Sequence, residues 1–168
     1  MTVQIRDELP ADIPAIHALT EAAFLHAPHT SHTEQFIVDA LRAAAELAVS
    51  LVAVDGGEIV GHVALSPVAL SDGSTGWFGL GPISVAPERQ REGLGSRLVE
   101  RALDALRARQ AAGCVLLGDP AYYRRFGFTP EPALVLPGVP AEYFQAIALN
   151  GPVPTATVRY SDAFEARA

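Results

Sequence analysis

The sequence contains one cysteine, Cys114, so no disulfide can form within the chain. A lone thiol suits a reducing compartment, and we expect a cytoplasmic protein. Long apolar runs are also missing, since none comes near the roughly 20 residues that a membrane-spanning helix needs. The first ten residues, MTVQIRDELP, lack the apolar core of a secretion signal. We therefore predict no membrane partner.

Positive charge is scarce as well. Twelve basic residues face 19 acidic ones, which gives a formal net charge of −7. A nucleic-acid-binding protein would present a basic face, so we predict no nucleic-acid partner. The negative charge is compatible with attraction of a cationic amine, and equally with ordinary solubility. Hydrophobic residues make up 49% of the chain, and its length and composition predict one globular domain over residues 1–168.

Apolar periodicity predicts alternating strands and helices. In chain order we expect a strand at 2–6, helices at 10–24 and 31–47, a hairpin at 49–70 that turns at 55–57, a fourth strand at 75–87, a helix through residues 94–106, a buried fifth strand at 113–118, a short helix from 119, and a closing antiparallel pair at 142–149 and 155–160. Ser31 and Glu34 fit a capping box at the second helix.

The fourth predicted strand is interrupted by GLGP at residues 79–82. Glycine inside a strand indicates a bulge, and Pro82 has no N–H to donate to a neighbouring strand. We therefore predict that the strand loses its regular pairing at this point.

QREGLGS, residues 90–96, connects this strand to the next helix. The first turn of a helix offers unpaired N–H groups, and glycines let an anion approach the backbone. A Walker loop would need Gly-Lys-Ser/Thr, and no lysine is present. A dinucleotide fingerprint would need a third glycine. Two interpretations remain open. The loop is either the phosphate-binding loop of an acyl-CoA transferase, or its glycines only permit a tight turn between strand and helix.

DPAYYRRFGF, residues 119–128, predicts a short helix with Asp119 as N-cap, Pro120 at the first helical position and Gly127 as its stop. Together and in this order, the two motifs resemble the GNAT superfamily of N-acetyltransferases. The superfamily pattern Gln/Arg-x-x-Gly-x-Gly/Ala corresponds to residues 90–95. A tyrosine followed by Gly-Phe corresponds to residues 123–128. The closest resemblance is to a bacterial group known mainly as predicted acetyltransferases, and it covers residues 2 to about 160.

The resemblance implies an α/β (α+β) GNAT fold. Its sheet is mixed, mostly antiparallel and six- to seven-stranded, carries helices on both faces, and is splayed between strands 4 and 5. The co-substrate would be acetyl-CoA, and no metal is expected. Backbone pairing with the pantetheine arm is implied for Ile83, Ser84 and Val85. Pyrophosphate contacts through backbone amides are implied for Arg91, Glu92, Gly93, Leu94, Gly95 and Ser96. The carboxylate of Glu92 should point away from the phosphates.

Tyr123 matches the general acid of the superfamily, whose hydroxyl donates a hydrogen bond or a proton to the departing CoA thiolate, although packing on a short helix would explain this tyrosine as well. Ordinary phenol and thiol pKa values lie about one to two units apart, so this transfer needs no shifted group. Tyr122 is expected to be a packing residue. Many relatives place an asparagine earlier on this helix to contact the cofactor; LLGDP stands there instead, so that contact is not carried over.

No carboxylate lies on the fourth strand, and water is the expected route for the proton of the amine. Glu34 and His62 are alternative contributors, although a cap and a half-buried strand residue explain them as well. The three histidines at 26, 29 and 32 lack the pattern of a zinc site. The loop at 25–33 is expected to border the acceptor pocket, and Cys114 to be inert core.

We therefore expect an N-acetyltransferase that moves the acetyl group to an amine by direct attack in a ternary complex. The acceptor is not identified by the sequence. A catalytically silent acyl-CoA-binding domain, another acyl group and an oxygen acceptor remain as alternatives. Dimers are common in the superfamily, so a homodimer is compatible with the resemblance.

Overall fold

A computed structural model describes residues 2–168, and its centre is a mixed sheet with helices on both faces. The strands are β1 (Gln4–Asp7), β2 (Val49–Asp55), β3 (Glu58–Pro67), β4 (Ala69–Leu70), β5 (Trp77–Val85), β6 (Gly113–Leu117), β7 (Thr129–Pro130), β8 (Leu134–Val135), β9 (Phe144–Ala148) and β10 (Ala156–Arg159). The helices are α1 (Ile13–Phe24), α2 (Glu34–Ala43), α3 (Leu94–Ala108) and α4 (Pro120–Tyr123).

The main sheet has seven strands in the order β1-β2-β3-β5-β6-β9-β7. Every neighbouring pair is antiparallel except β5 and β6, which run parallel. The predicted mixed, mostly antiparallel sheet is thereby confirmed. The hairpin is also confirmed, because β2 and β3 are antiparallel and join through the predicted turn at Gly56 and Gly57.

Successive side chains of β2 point to opposite faces, and this alternation assigns the helices to their sides. Leu51 and Ala53 lie in the core cluster that contains Leu98 of α3. Val52 lies in a separate cluster with Ile16 of α1 and Val38 of α2. Helix α3 therefore covers one face of the sheet, and α1 and α2 cover the other.

The polar side of α3 does more than face solvent. Arg97 donates a hydrogen bond to the carbonyl of Val3 at 3.0 Å, and Arg101 to that of Ile5 at 3.2 Å. Arg109 reaches the carbonyl of Ala48 at 2.8 Å. These bonds fasten the edge strand β1 and the start of β2 to the helix.

The predicted pairing of the last two strands is wrong. Strand β9 lies between β6 and β7 in the main sheet, so both of its edges are occupied. Strand β10 pairs with β4 and β8 in a second, three-stranded sheet. Pro152 and Pro154 stand in the connection and offer no N–H for a hairpin ladder. The smaller sheet instead packs Val158 with Trp77 and Phe144.

None of the helices in the described part of the chain combines the length and apolar character that a bilayer crossing requires.

Candidate active site

Strands β5 and β6 separate after a short stretch of pairing. Their ladder joins Trp77, Phe78 and Gly79 to residues 113–115 and ends there. Farther along β5, the N–H of Ala86 donates to the carbonyl of Val60, on the β3 side, at 2.9 Å. Backbone groups of successive strand residues point to opposite edges. Ser84 therefore faces β3, whereas Ile83 and Val85 present their peptide groups to the open edge.

The separation coincides with the predicted interruption of β5. Ile83 pairs with Val63 and Leu80 with Leu65, so Gly81 and Pro82 lie opposite a single residue of β3. This is a β-bulge, and the predicted loss of regular pairing at 79–82 is confirmed. Gly81 has φ +139°, a conformation that side-chain-bearing residues rarely adopt.

The loop before α3 has an unusual backbone. Arg91 has φ +68° and Gly93, the N-cap of α3, has φ +84°. Left-handed residues interspersed with right-handed ones form the pattern of anion-binding nests. Within residues 2–168, no side chain caps this helix start, so its first N–H groups and the positive end of the helix dipole remain available.

The two glycines of this motif serve different needs. The left-handed backbone at position 93 requires glycine there. Position 95 has no such requirement, because its φ is ordinary and an added Cβ would lie 3.6 Å from Tyr122 Oη and 3.9 Å from Val85 Cγ2. Both distances are normal van der Waals contacts, so packing within the protein does not require a glycine at position 95.

Glu92 belongs to this loop, and Arg89 holds its carboxylate while also binding Asp55. Arg89 Nε donates to the Glu92 carboxylate at 3.0 Å, and Arg89 Nη1 to Asp55 at 2.9 Å. The carboxylate is thus held by a neighbouring cation and does not repel an anion at full strength.

Helix α4 begins as the sequence predicts, and the helical segment that it starts ends at the predicted glycine. The Asp119 carboxylate accepts the N–H of Ala121 at 2.9 Å, and Pro120 occupies the first helical position. A 3₁₀ turn follows, and Gly127 with φ +102° ends it. This arrangement places Tyr123 at the junction of the two helical segments.

The ring of Tyr123 is closely packed by its neighbours. A Cβ on Gly118 would lie 2.4 Å from Tyr123 Cε2, so only glycine at position 118 leaves room for the ring. Phe128 packs edge-on at 6.2 Å between ring centroids. Burial, with Tyr122 and Asp119 nearby, raises the pKa of Tyr123 to about 12. Desolvation disfavours the phenolate, so the Tyr123 phenol is a weaker acid than its ordinary pKa would make it.

Tyr122 connects the two motifs. Its Oη lies 2.8 Å from Ser96 Oγ in the first turn of α3. The guanidinium of Arg125 stacks 4.4 Å above the Tyr122 ring. Tyr122, which was predicted to be a packing residue, thus also forms a hydrogen bond between the two motifs. The hydroxyl of Ser96 is engaged in that hydrogen bond.

A cavity of about 560 Å³ opens where β5 and β6 part. Its inner side is formed by Leu80, Gly81, Pro82, Ile83, Leu117 and Tyr123. Two predicted site residues, Ile83 and Tyr123, therefore meet in one cavity. Its size is within the range of about 300–1,000 Å³ typical of small-molecule sites.

Glu34 also lines this cavity. Helix α2 begins at Glu34 itself, with Thr33 as its N-cap, two residues later than the predicted capping box requires. Only half of the box forms, because the Glu34 carboxylate accepts the N–H of Ser31 at 3.3 Å. Thr30 donates its hydroxyl to the same carboxylate at 2.8 Å. Phe24 and Glu34, the residues that flank the 25–33 loop, line the cavity, whereas the loop residues do not.

His62 lies away from this cavity and is fully buried, not half-buried. Its Nε2 lies 2.8 Å from Ser50 Oγ, and Ser50 donates to Glu8, which is paired with Arg42 at 2.8 Å. Burial lowers the pKa of His62 to about 4, with Glu8 opposing the shift and Arg42 adding to it. A hollow of about 630 Å³ beside Glu8 and Arg42 contains none of the predicted site residues.

His26, His29 and His32 are exposed, and no three metal-ligating side chains gather anywhere in residues 2–168. Cys114 is fully buried in β6, and burial raises the pKa of its thiol.

Sequence reasoning did not identify Gly118, Tyr160 and Phe164 as site residues. The two aromatic side chains come from the C-terminal segment and line the cavity. The centroids of their rings lie 5.0 Å apart. The sequence signal for this pair was two aromatic residues spaced four apart in an otherwise polar C-terminal segment. Nothing in the sequence indicated that Gly118 faces Tyr123, because that contact depends on how α4 folds back on β6.

The comparisons with known proteins agree with this geometry. The family model of the acetyltransferase (GNAT) domain matches residues 4–130. This chain belongs to the GNAT acetyltransferase family. The N-acetyltransferase YhbS of Escherichia coli K12, itself uncharacterized, is 40% identical over 125 residues, which are 74% of this chain and 72% of YhbS. The predicted GNAT fold and acyltransferase class are confirmed.

Two solved GNAT structures resemble the whole chain. A GNAT acetyltransferase of Brucella melitensis, in complex with acetyl-CoA, is 45% identical, with a TM-score of 0.87 over 97% of this chain and 98% of its own. The structure of Escherichia coli YhbS in complex with CoA is 36% identical, with a TM-score of 0.87 over 97% of this chain and 92% of its own.

Proposed function

We propose that this GNAT protein transfers the acetyl group of acetyl-CoA to an amine by direct attack in a ternary complex. The observation that carries the proposal is the open edge of β5, which runs from the uncapped start of α3 towards Tyr123. The related Brucella melitensis protein, which binds acetyl-CoA, supports the choice of co-substrate. As the cell compartment, the cytoplasm remains our expectation.

The pantetheine arm contains amides and can pair like an added strand with an open sheet edge. Ile83 and Val85 present the required peptide groups, and the arm would share or displace the hydrogen bond that Gln90 Nε2 donates to the Val85 carbonyl at 3.3 Å. Ser84 completes this stretch, but its backbone faces β3 and its side chain is buried. We therefore assign the pairing to Ile83 and Val85.

The pyrophosphate would bind the backbone N–H groups of residues 91–96. These residues fit an anion, since the Glu92 carboxylate is held by Arg89 and no atom of the protein crowds the backbone at Gly95. The helix dipole of α3 adds a favourable field at the same place.

Tyr123 would act on the sulfur of the thioester. The amine nitrogen forms a bond to the acetyl carbon, the bond from that carbon to sulfur breaks, and sulfur leaves with the electron pair. The Tyr123 hydroxyl donates a hydrogen bond to it as negative charge develops. Because the pKa of Tyr123 is about 12, it stays protonated near neutral pH and lies about 3 to 4 units above a thiol. The proton that the amine loses balances the one that sulfur gains, and water carries it between them.

A covalent acetyl-enzyme has no support in the described cavity. The residues that line it include no cysteine, serine, threonine or histidine. The thiol of Cys114 is buried with a raised pKa, which suppresses its nucleophilic thiolate form.

Tyr123→Phe tests this assignment, with Tyr143→Phe, an exposed tyrosine outside the cavity, as the matched control. We expect kcat to fall by about 100-fold or more, because a positioned donor contributes about 10²–10⁴. Acetyl-CoA affinity, measured by calorimetry, should stay close to wild type. Turnover by Tyr123→Phe at the wild-type rate would contradict the proposed role of the hydroxyl.

A mass-shift screen of pooled amines with acetyl-CoA tests the reaction itself. If the protein binds acetyl-CoA and modifies none of them, the catalytically silent alternative is supported. Competition among acyl-CoAs of increasing chain length tests the acyl preference.

A further inference from the structure

The outer part of the cavity, beyond Ile83 and Tyr123, has apolar walls. They come from α1, α2, the segment after β8 and the C-terminal segment, as Phe24, Ile37, Val139, Tyr160 and Phe164. Glu34 is the single ionisable carboxylate among the described lining residues, and no arginine or lysine belongs to them. This part of the cavity therefore presents one negative charge beside apolar walls and is open to solvent.

The negative charge of Glu34 has a fixed position. Its two carboxylate oxygens each lie 2.8 Å from the Thr30 hydroxyl, and the Ser31 N–H approaches one of them at 3.3 Å. These neutral donors orient the carboxylate but do not neutralise it. Within residues 2–168, no basic side chain forms an ion pair with Glu34, so a cationic ligand has no internal competitor.

The aromatic wall is also preformed. A Cβ on Gly79 would lie 2.8 Å from Tyr160 Cε2, so glycine at this position admits the ring. Phe164 belongs to a 3₁₀ turn at Asp162–Glu165, which Ser161 anchors by donating its hydroxyl to Glu46 at 3.0 Å. A fixed wall reduces the ordering that an apolar ligand group would otherwise require.

We infer that the acceptor is a small apolar monoamine, an alkylamine or arylalkylamine, whose ammonium group binds Glu34 while its hydrocarbon part lies against Tyr160 and Phe164. This inference rests on the proposed function. Glu34 binds and positions the acceptor, and the nitrogen becomes nucleophilic once its extra proton has passed to water.

The same features select against two other classes of amine. An amino acid would bring a carboxylate into a cavity whose described lining offers no cation to pair with it, and a buried unpaired charge is strongly unfavourable. A polyamine would bring further ammonium groups against Phe24 and Phe164, where one carboxylate cannot satisfy them all.

The experiment compares acetylation of 2-phenylethylamine, L-phenylalanine and spermidine by the full chain with acetyl-CoA. L-phenylalanine differs from 2-phenylethylamine by its carboxylate alone. We expect kcat/KM for 2-phenylethylamine to exceed the other two by about 100-fold or more, because a site rejects ligands that leave a buried polar group unpaired.

Glu34→Gln keeps the size of the side chain and an acceptor oxygen for Thr30 and Ser31. It should raise KM for 2-phenylethylamine by about tenfold or more, the effect of losing a charge-assisted hydrogen bond. The dissociation constant of acetyl-CoA should not change, and the exposed control Glu21→Gln should behave as wild type.

The outcomes separate the two proposals. Preference for L-phenylalanine or spermidine, or an unchanged KM in Glu34→Gln, overturns the inference and leaves the acetyltransferase function intact. Acetyl-CoA binding without calorimetric binding or acetylation of 2-phenylethylamine also overturns it. Failure to bind acetyl-CoA at all overturns the proposed function itself.

Discussion

Gly95→Ala separates a glycine kept for a ligand from one kept for the fold. Gly95 lies in the first turn of α3 with an ordinary φ, and the added methyl group would meet its neighbours at 3.6 and 3.9 Å. Alanine is more favourable than glycine in a helix interior by about 0.8–1.0 kcal/mol, and by less near an end. The variant without ligand should therefore unfold at the same temperature as wild type or up to about 3 °C higher.

Ligand binding should change in the opposite direction. If the pyrophosphate lies against this backbone, the methyl group prevents close approach to the first-turn N–H groups. Losing one hydrogen bond to a charged group costs about 1.5–3 kcal/mol, which weakens binding by about ten- to 100-fold. At an acetyl-CoA concentration 100 times the wild-type dissociation constant, wild type gains about 2.7 kcal/mol of stability. A variant that binds ten times more weakly gains about 1.4 kcal/mol.

Thermal unfolding with and without acetyl-CoA measures both effects in one titration. Glu100→Ala, at an exposed position of the same helix, is the control for a general change in helix stability. Unchanged acetyl-CoA affinity in Gly95→Ala would refute the ligand explanation. A loss of more than about 1 kcal/mol in the ligand-free variant would show that the fold itself needs this glycine.

Two further predictions concern the packing of Gly118 against the Tyr123 ring and the buried side chain of His62. In Gly118→Ala the new Cβ would lie 2.4 Å from Tyr123 Cε2, so the ring should be displaced and kcat should fall by about 100-fold. The affinity for acetyl-CoA should stay near wild type, and so should the exposed control variant Ala121→Ser. A kcat retained in Gly118→Ala would contradict the close fit between Gly118 and the ring. For His62, the folded-state pKa of about 4 lies below the unfolded value of 6.5, so stability is full above pH 6.5 and falls by about 3 kcal/mol as the pH drops to about 4. Urea unfolding across this range should show a flatter pH dependence in His62→Gln and no such change in the exposed control His26→Gln; equal slopes in all three proteins would place the proton uptake elsewhere.

Local chemistry in the sequence predicted the elements that surround the site. The bulge in β5 follows from two glycines and a proline at residues 79–82, because these residues disturb a ladder wherever the strand lies. The α4 cap follows from Asp119 and Pro120 for the same reason, since both act within a few residues of chain. Predictions of this kind need no knowledge of tertiary contacts.

Tertiary contacts explain what could not be predicted. Strands β9 and β10 both exist, but their partners depend on which sheet edges are vacant after the rest of the chain has folded. Helix α2 begins at Glu34 and packs beside the C-terminal segment, and residues of both line the cavity, a tertiary arrangement that local sequence does not specify. The pKa of Tyr123 likewise depends on burial by residues distant in sequence.

The two motifs are joined by a direct contact into one structural unit. Ser96 in the first turn of α3 and Tyr122 in α4 lie 26 residues apart, and their hydroxyl oxygens are 2.8 Å apart. Arg125 holds the Tyr122 backbone carbonyl at 2.9 Å and covers its ring. Tyr123 follows Tyr122 directly, so the helix start that would bind phosphate and the phenol that would face sulfur are positioned by the same contact. The covalent length of the pantetheine arm limits the distance between diphosphate and thioester in acetyl-CoA, and a rigid link between the two motifs keeps their separation constant relative to that limit.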